Sequence, residues 1–117
     1  MGCNVGDVTM TKTMFAAAAA LLLGAAPVWA GGNAADGAKK AETCAACHGP
    51  SGAKPMTDDY PILAGQPADY LEHALKAYKS GKRKNAIMAG MAAPLTKQDI
   101  ADLAAYFASQ KGVEYKY

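Results

Sequence analysis

The run Cys44-Ala45-Ala46-Cys47-His48 holds the residue types and spacing in this sequence best suited to chemistry. A C-x-x-C-H pattern admits four readings. A zinc site needs four ligands, usually completed by a second Cys or His pair, and after Cys47 the chain offers only His48 and His73. A thioredoxin-type redox pair expects a βαβ setting, and the sequence has no strand-like alternation. A plain Cys44–Cys47 disulfide is allowed in an oxidising compartment, but it leaves His48 without a task. Covalent haem attachment uses all three residues. Two cysteines three apart near a helix end reach the two vinyl groups on one edge of a porphyrin, and the next histidine lies under the iron as its proximal ligand. Small residues at Ala45 and Ala46 let the backbone lie close to the macrocycle. The pattern predicts one covalent haem c, with its iron, on Cys44, Cys47 and His48.

A second axial ligand must come from the opposite face of such a group. Met56, His73, Met88 and Met91 are the candidates. His73 stands among Asp69, Glu72 and Lys76 on a polar helix face and reads as a surface histidine. Met56 is close to His48 in the chain, poorly placed to come round to the far side. Met88 and Met91 lie 40 and 43 residues beyond His48, far enough for the intervening chain to enclose the haem. The residues leave both open, the other being a flexible methionine that fills space.

These residues need elements to hold them. Ala34–Ala46 is rich in Ala, Lys and Glu and predicts a helix, with Asn33 or Asp36 able to cap it. His48–Gln66 carries Pro50, Pro55 and Pro61 with several glycines and no apolar period, so it reads as a long loop. Loops of that length in compact domains are functional or argue against the assignment; here a haem gives it something to wrap. Pro67 suits a first helical position and Gly81 a C-terminal cap. Between them Tyr70, Leu71, Ala74, Leu75 and Tyr78 recur at helical spacing. Gly81–Pro94 reads as a basic loop holding Met88 and Met91. Thr96-Lys97-Gln98-Asp99 opens the last helix with a capping-box-like start, and Ile100, Leu103, Ala104 and Phe107 give that helix a core-facing stripe. It is expected to end near Lys111-Gly112. The whole predicts a small all-α domain, three main helices with long loops.

The chain has 117 residues, enough for one domain. Lys12, the apolar run Phe15–Ala26 and the small residues Val28 and Ala30 match the three parts of a secretory signal. The run is too short for a bilayer, where about 20 apolar residues are needed. Residues 1–30 are therefore expected to be a cleaved export signal, with translation starting at Met1, Met10 or Met14 and no role for Cys3. Residues 31–117 would form the domain, with 11 basic and 9 acidic residues and a formal charge of +2, too balanced to argue for nucleic acid. A domain that small often recruits a cofactor or disulfide for stability.

With CAACH stand Tyr60-Pro61-Ile62-Leu63-Ala64-Gly65-Gln66, Gly81-Lys82-Arg83, Ile87 to Thr96, and Asp99 to Phe107. In that order the set resembles class I c-type cytochromes, especially short single-haem periplasmic members and one half of tandem di-haem ones, over nearly all of Ala34–Gln110. In that family the axial methionine precedes the Ser or Thr that caps the last helix by eight residues. Counted from Thr96, the resemblance implies Met88. It also implies that the Pro61 carbonyl accepts the Nδ1–H of His48, and that Gly37 marks a close crossing of first and last helices against Tyr106. Six-coordinate His/Met iron leaves no open position, which favours electron transfer over catalysis and predicts a carrier, not an enzyme. A haem subunit, sensor or enzyme domain of a larger oxidoreductase is the alternative. Redox proteins are the expected donor and acceptor, met in the periplasm by a monomer with no stable membrane insertion after cleavage. Lys76, Lys79, Lys82, Arg83 and Lys84 would steer an acidic partner or simply complement a helix end, with Arg83 also expected to meet a haem propionate.

Overall fold

The computed structural model describes residues 31–112. The expected export signal, Cys3 and the last five residues lie outside that range. Among the described residues the secondary structure is helical, with no strand.

The first helix begins where the sequence places it. The Asn33 side chain accepts from the backbone N–H of Ala35 (2.9 Å) and Asp36 (3.3 Å), so Asn33 is the cap. Helix α1 runs Ala34–Lys40, with Asp36 in its first turn and Lys39 and Lys40 in its last, complementing the dipole. The expected continuous helix is interrupted at Ala41, and α2 follows as Glu42–His48. Hydrogen bonds nevertheless run through the join, Ala41 N to Gly37 O and Ala45 N to Ala41 O. Cys44, Cys47 and His48 thus occupy the last turns of a helix tied to the end of α1 by these bonds.

The loop after His48 is short of regular structure but not of attachments. A 3₁₀ turn spans Pro50–Gly52. Met56 N–H donates to the Cys47 carbonyl (3.0 Å), Leu63 and Ala64 N–H to the Gly52 carbonyl, and Gly65 N–H to the Phe107 carbonyl (2.9 Å). Gly52 has φ +69°, and a Cβ there would meet the Phe107 ring at 2.9 Å, so only glycine lets the loop lie flat on the core.

Helix α3 spans Ala68–Lys79, with Pro67 one place earlier than expected, at its cap, and Gly81 (φ +76°) following Ser80 at its end. Two differences from the sequence-based expectation stand out. Tyr70 is 48% exposed, so the buried face of α3 is Leu71 and, partly, Leu75. The expected basic loop contains a further helix, α4, Ala86–Ala92. Asn85 caps it by accepting the Met88 N–H at 2.9 Å; the alanines favour it, and Gly90 obscures its signal.

Helix α5, Lys97–Ser109, carries the full predicted capping box between Thr96 and Asp99. Ile100, Leu103, Ala104 and Phe107 are all buried. Leu103, Ala104 and Phe107 form the core with Ala41 and Leu71, and Cys44, Leu63, Leu75 and Tyr106 pack against it.

Helix α1 crosses α5 closely. A Cβ on Gly37 would overlap the Asp102 carbonyl oxygen and lie 2.7 Å from Cβ of Tyr106, as the family resemblance implied. Beside the crossing is a buried charge that no apolar periodicity marks. Asp102, 2% exposed, accepts from Asn33 N–H (2.7 Å), Lys40 Nζ (2.6 Å) and Gln98 Nε2 (2.8 Å). Lys40 also reaches Asp99 at 2.8 Å.

Hydrogen bonds from Lys40, ahead of those from Asn33 and Gln98, hold the Asp102 carboxyl below its usual range; Lys40 does the same to Asp99. A lowered folded pKa stabilises the fold fully above the unfolded value, near 3.9, and that stability is lost as pH falls through the folded value. Thermal melts of the holoprotein are therefore expected to hold level from neutrality to about pH 4 and fall below it. Asp102→Asn should lower the neutral melting temperature and flatten the acid limb. An unchanged acid limb in that variant would remove Asp102 as its source.

Candidate functional site

The end of α2 delivers the three motif residues together. Cys44 and Cys47 are half-buried free thiols, and His48 is only 6% exposed. Cys44 rests against the core, and burial is the main cause pushing its thiol above the ordinary range. Among the described residues no group of three or more His, Cys, Asp or Glu side chains converges as a metal site would need.

The imidazole of His48 is fixed from one side. Its Nδ1–H donates to the Pro61 carbonyl oxygen at 2.8 Å, an acceptor brought across 13 residues by the fastened loop. Nδ1 thereby carries a proton, which leaves Nε2 as the ring nitrogen available to ligate a metal. The Tyr60 ring stands edge-on to the imidazole, centroids 6.0 Å apart at 65°. Two free thiols and an imidazole whose Nδ1 is engaged while Nε2 stays available, at one helix end, suit a porphyrin attached at its edge and ligated by that histidine. The residues present fit a haem c.

The remaining predicted residues sit elsewhere. Met88 is half-buried in the first turn of α4, which packs against α3, whereas Met91 is exposed. Met56 is 71% exposed, and His73 is exposed on α3. Arg83 lies over the Tyr78 ring (4.9 Å to its centroid) and donates to the Tyr70 hydroxyl at 3.4 Å. Lys76 pairs with Glu72 at 2.7 Å. Lys79 donates to the Ala93 and Leu95 carbonyls. Of the five clustered cations, three are thus engaged within the chain. Sequence reasoning assigns no role to the Tyr60 ring or to Asn85. Asn85 carries a signal all the same, since an Asn ahead of a run of helix formers is a capping pattern.

An all-helical domain of this order, with a thiol pair and a carbonyl-oriented histidine at one helix end, is built to carry a covalent haem. The cytochrome c sequence profile matches residues 34–111, and the chain belongs to the cytochrome c family. It is 49% identical over 83 residues to cytochrome c-554(548) of Halomonas halodenitrificans, covering 68% of this chain and 99% of that one. It is 36% identical over 105 residues to a thiosulfate dehydrogenase electron acceptor of Thiomonas intermedia, covering 89% of this chain and 46% of that protein. The crystal structure of reduced cytochrome c4 from Pseudomonas stutzeri superposes with a TM-score of 0.65 at 41% identity, covering 69% of this chain and 47% of that one. The chain thus spans the short relative and about half of the longer two. Membership establishes the expected class I c-type cytochrome: a haem-based electron-transfer protein that carries electrons and is not an enzyme, with haem c bound covalently.

Proposed function

We propose that this chain is a periplasmic single-electron shuttle in which His48 and Met88 ligate the iron from opposite faces. The observation that carries the reading is the 2.8 Å bond from His48 Nδ1 to the Pro61 oxygen. A hydrogen-bonded imidazole has its tautomer and ring plane set and its basicity raised, as partners of metal-bound histidines do. Bound haem supplies the one-electron couple and a partly exposed edge. The chain's own residues do the rest. Cys44 and Cys47 anchor one edge, Pro61 orients His48, and Met88 closes the far side with a soft thioether that favours the reduced state. Arg83 gives one N–H to Tyr70 and has further donors on its guanidinium fork for a propionate.

The partners on this reading are redox proteins, one donor and one acceptor, met by a monomer. One relative is named as an electron acceptor of thiosulfate dehydrogenase, which supports a protein partner without naming this chain's own. Among the described residues, Lys82 and Lys84 are the exposed members of the basic cluster free for such an encounter, fewer than the sequence suggests. Periplasmic location rests on the signal-like pattern in residues 1–30 and on the disulfide-permissive export that haem attachment through paired cysteines accompanies. Among the described residues no helix is long and apolar enough to cross a membrane.

A sensor or haem enzyme would keep an iron position open. The oxidised holoprotein is expected to show a sulfur-to-iron charge-transfer band, and the reduced form to leave carbon monoxide unbound. Ready carbon monoxide uptake by the wild-type protein would overturn the carrier reading.

A further inference from the structure

The segment that carries Met88 is tied down by a side chain to which haem binding gives no task. Helix α4 has seven residues, too few to hold itself in place through its own backbone bonds. Its far end runs into Ala93-Pro94-Leu95, where proline offers no N–H and the turn to α5 leaves carbonyls in need of donors. Lys79, in the last turn of α3, meets two of them. Its Nζ lies 2.6 Å from the Ala93 oxygen and 2.7 Å from the Leu95 oxygen. An ammonium bridging two carbonyls is a charge-assisted clamp, stronger than a neutral pair. Lys76, one turn earlier, bonds only Glu72 of its own helix.

We propose that Lys79 is a positioning residue for the distal ligand: by gripping the Ala93 and Leu95 carbonyls it seats α4 and keeps the Met88 sulfur on the iron against competing ligands. The inference rests on Met88 being that ligand. An external ligand can bind only while the methionine is off. Its apparent affinity therefore scales with the fraction of molecules in which the segment has lifted. Weakening the clamp raises that fraction, and outside ligands bind more tightly although the iron itself is untouched.

The test titrates oxidised holoprotein with imidazole and follows loss of the sulfur-to-iron band. Lys79→Met keeps the stem and removes the donors; its apparent imidazole affinity should rise roughly three- to tenfold, the scale of losing charged hydrogen bonds at an exposed site. Lys79→Arg, with a fork that can meet both carbonyls, should stay near wild type. Lys40→Met loses its bonds to Asp99 and Asp102 across α1 and α5, so it should lower the melting temperature without changing imidazole affinity. Wild-type affinity in Lys79→Met would overturn the proposal, as would an equal rise in Lys40→Met, which would mark general loosening. Met88→Ala separates the two readings. If that variant keeps the band, the ligand assignment and the clamp both fall. If it loses the band while Lys79→Met titrates like wild type, the clamp alone falls.

Discussion

Met88→Ala is expected to leave the haem attached and change its electronics. The covalent anchors, Cys44 and Cys47, lie on α2, whereas Met88 lies on α4, so attachment and distal ligation are separable. Without the thioether the oxidised protein should lose its sulfur-to-iron band, and the reduced protein should take up carbon monoxide. The reduction potential should fall by on the order of 0.2 V, a modest part of the roughly 0.8 V that axial ligands span. Met91→Ala should do none of this. Met91 is 37% exposed, three residues further along a helix whose capped first turn already places Met88. Visible spectra and potentiometric titration of both variants decide the matter: a band lost from Met91→Ala and kept in Met88→Ala would exchange their roles.

The second large effect lies away from the iron. In Gly37→Val the new Cβ overlaps the Asp102 carbonyl and crowds Tyr106, both on the backbone or base of α5, where no side-chain rotation gives relief. Helix α1 must move off α5, and the bonds from Asn33 and Lys40 to Asp102 go with it. Overpacking costs about 1–3 kcal/mol, and partners left without Asp102 add to that. At about 4–8 °C per kcal/mol for a domain of this size, the melting temperature should drop by on the order of 10 °C. Gly90→Ala provides the contrast, because a Cβ there meets nothing within 4 Å and an alanine in a helix interior gains about 0.5–1 kcal/mol. Calorimetry of the two holoproteins should show shifts of opposite sign. A Gly37→Val protein melting with wild type would mean that the crossing is looser than its contacts indicate.

Features that are local in the chain are legible in the sequence alone. CAACH is contiguous, the α5 stripe has helical period, and Thr96 with Asp99 is a cap written within four residues. The His48–Pro61 contact is reached only through family resemblance, since nothing in the spacing of a histidine and a proline announces a hydrogen bond. What stays hidden depends on distant chain segments. Asp102 sits inside an apolar stripe, and its burial is tolerable only because Asn33, Lys40 and Gln98 converge on it. Lys79 reads as one more cation at a helix end, because its true partners are backbone carbonyls 14 and 16 residues away, and any residue type supplies those. Tyr70 has the period of a core residue and yet faces out. Helix α4 escapes notice because a glycine and a basic lead-in look like loop, although its cap is present at Asn85.

The partner of His48 is a peptide oxygen, not a carboxylate. A carboxylate in that place could take up or release a proton as the charge on the metal changed, and each electron would then be linked to the acidity of the medium. The Pro61 carbonyl has no proton to exchange and none to accept in the ordinary range. With His48 as the proposed proximal ligand, the charge that arrives with an electron would stay a bare charge on that side. A molecule so wired can run between partners in surroundings of differing acidity with its driving force unaltered on that side.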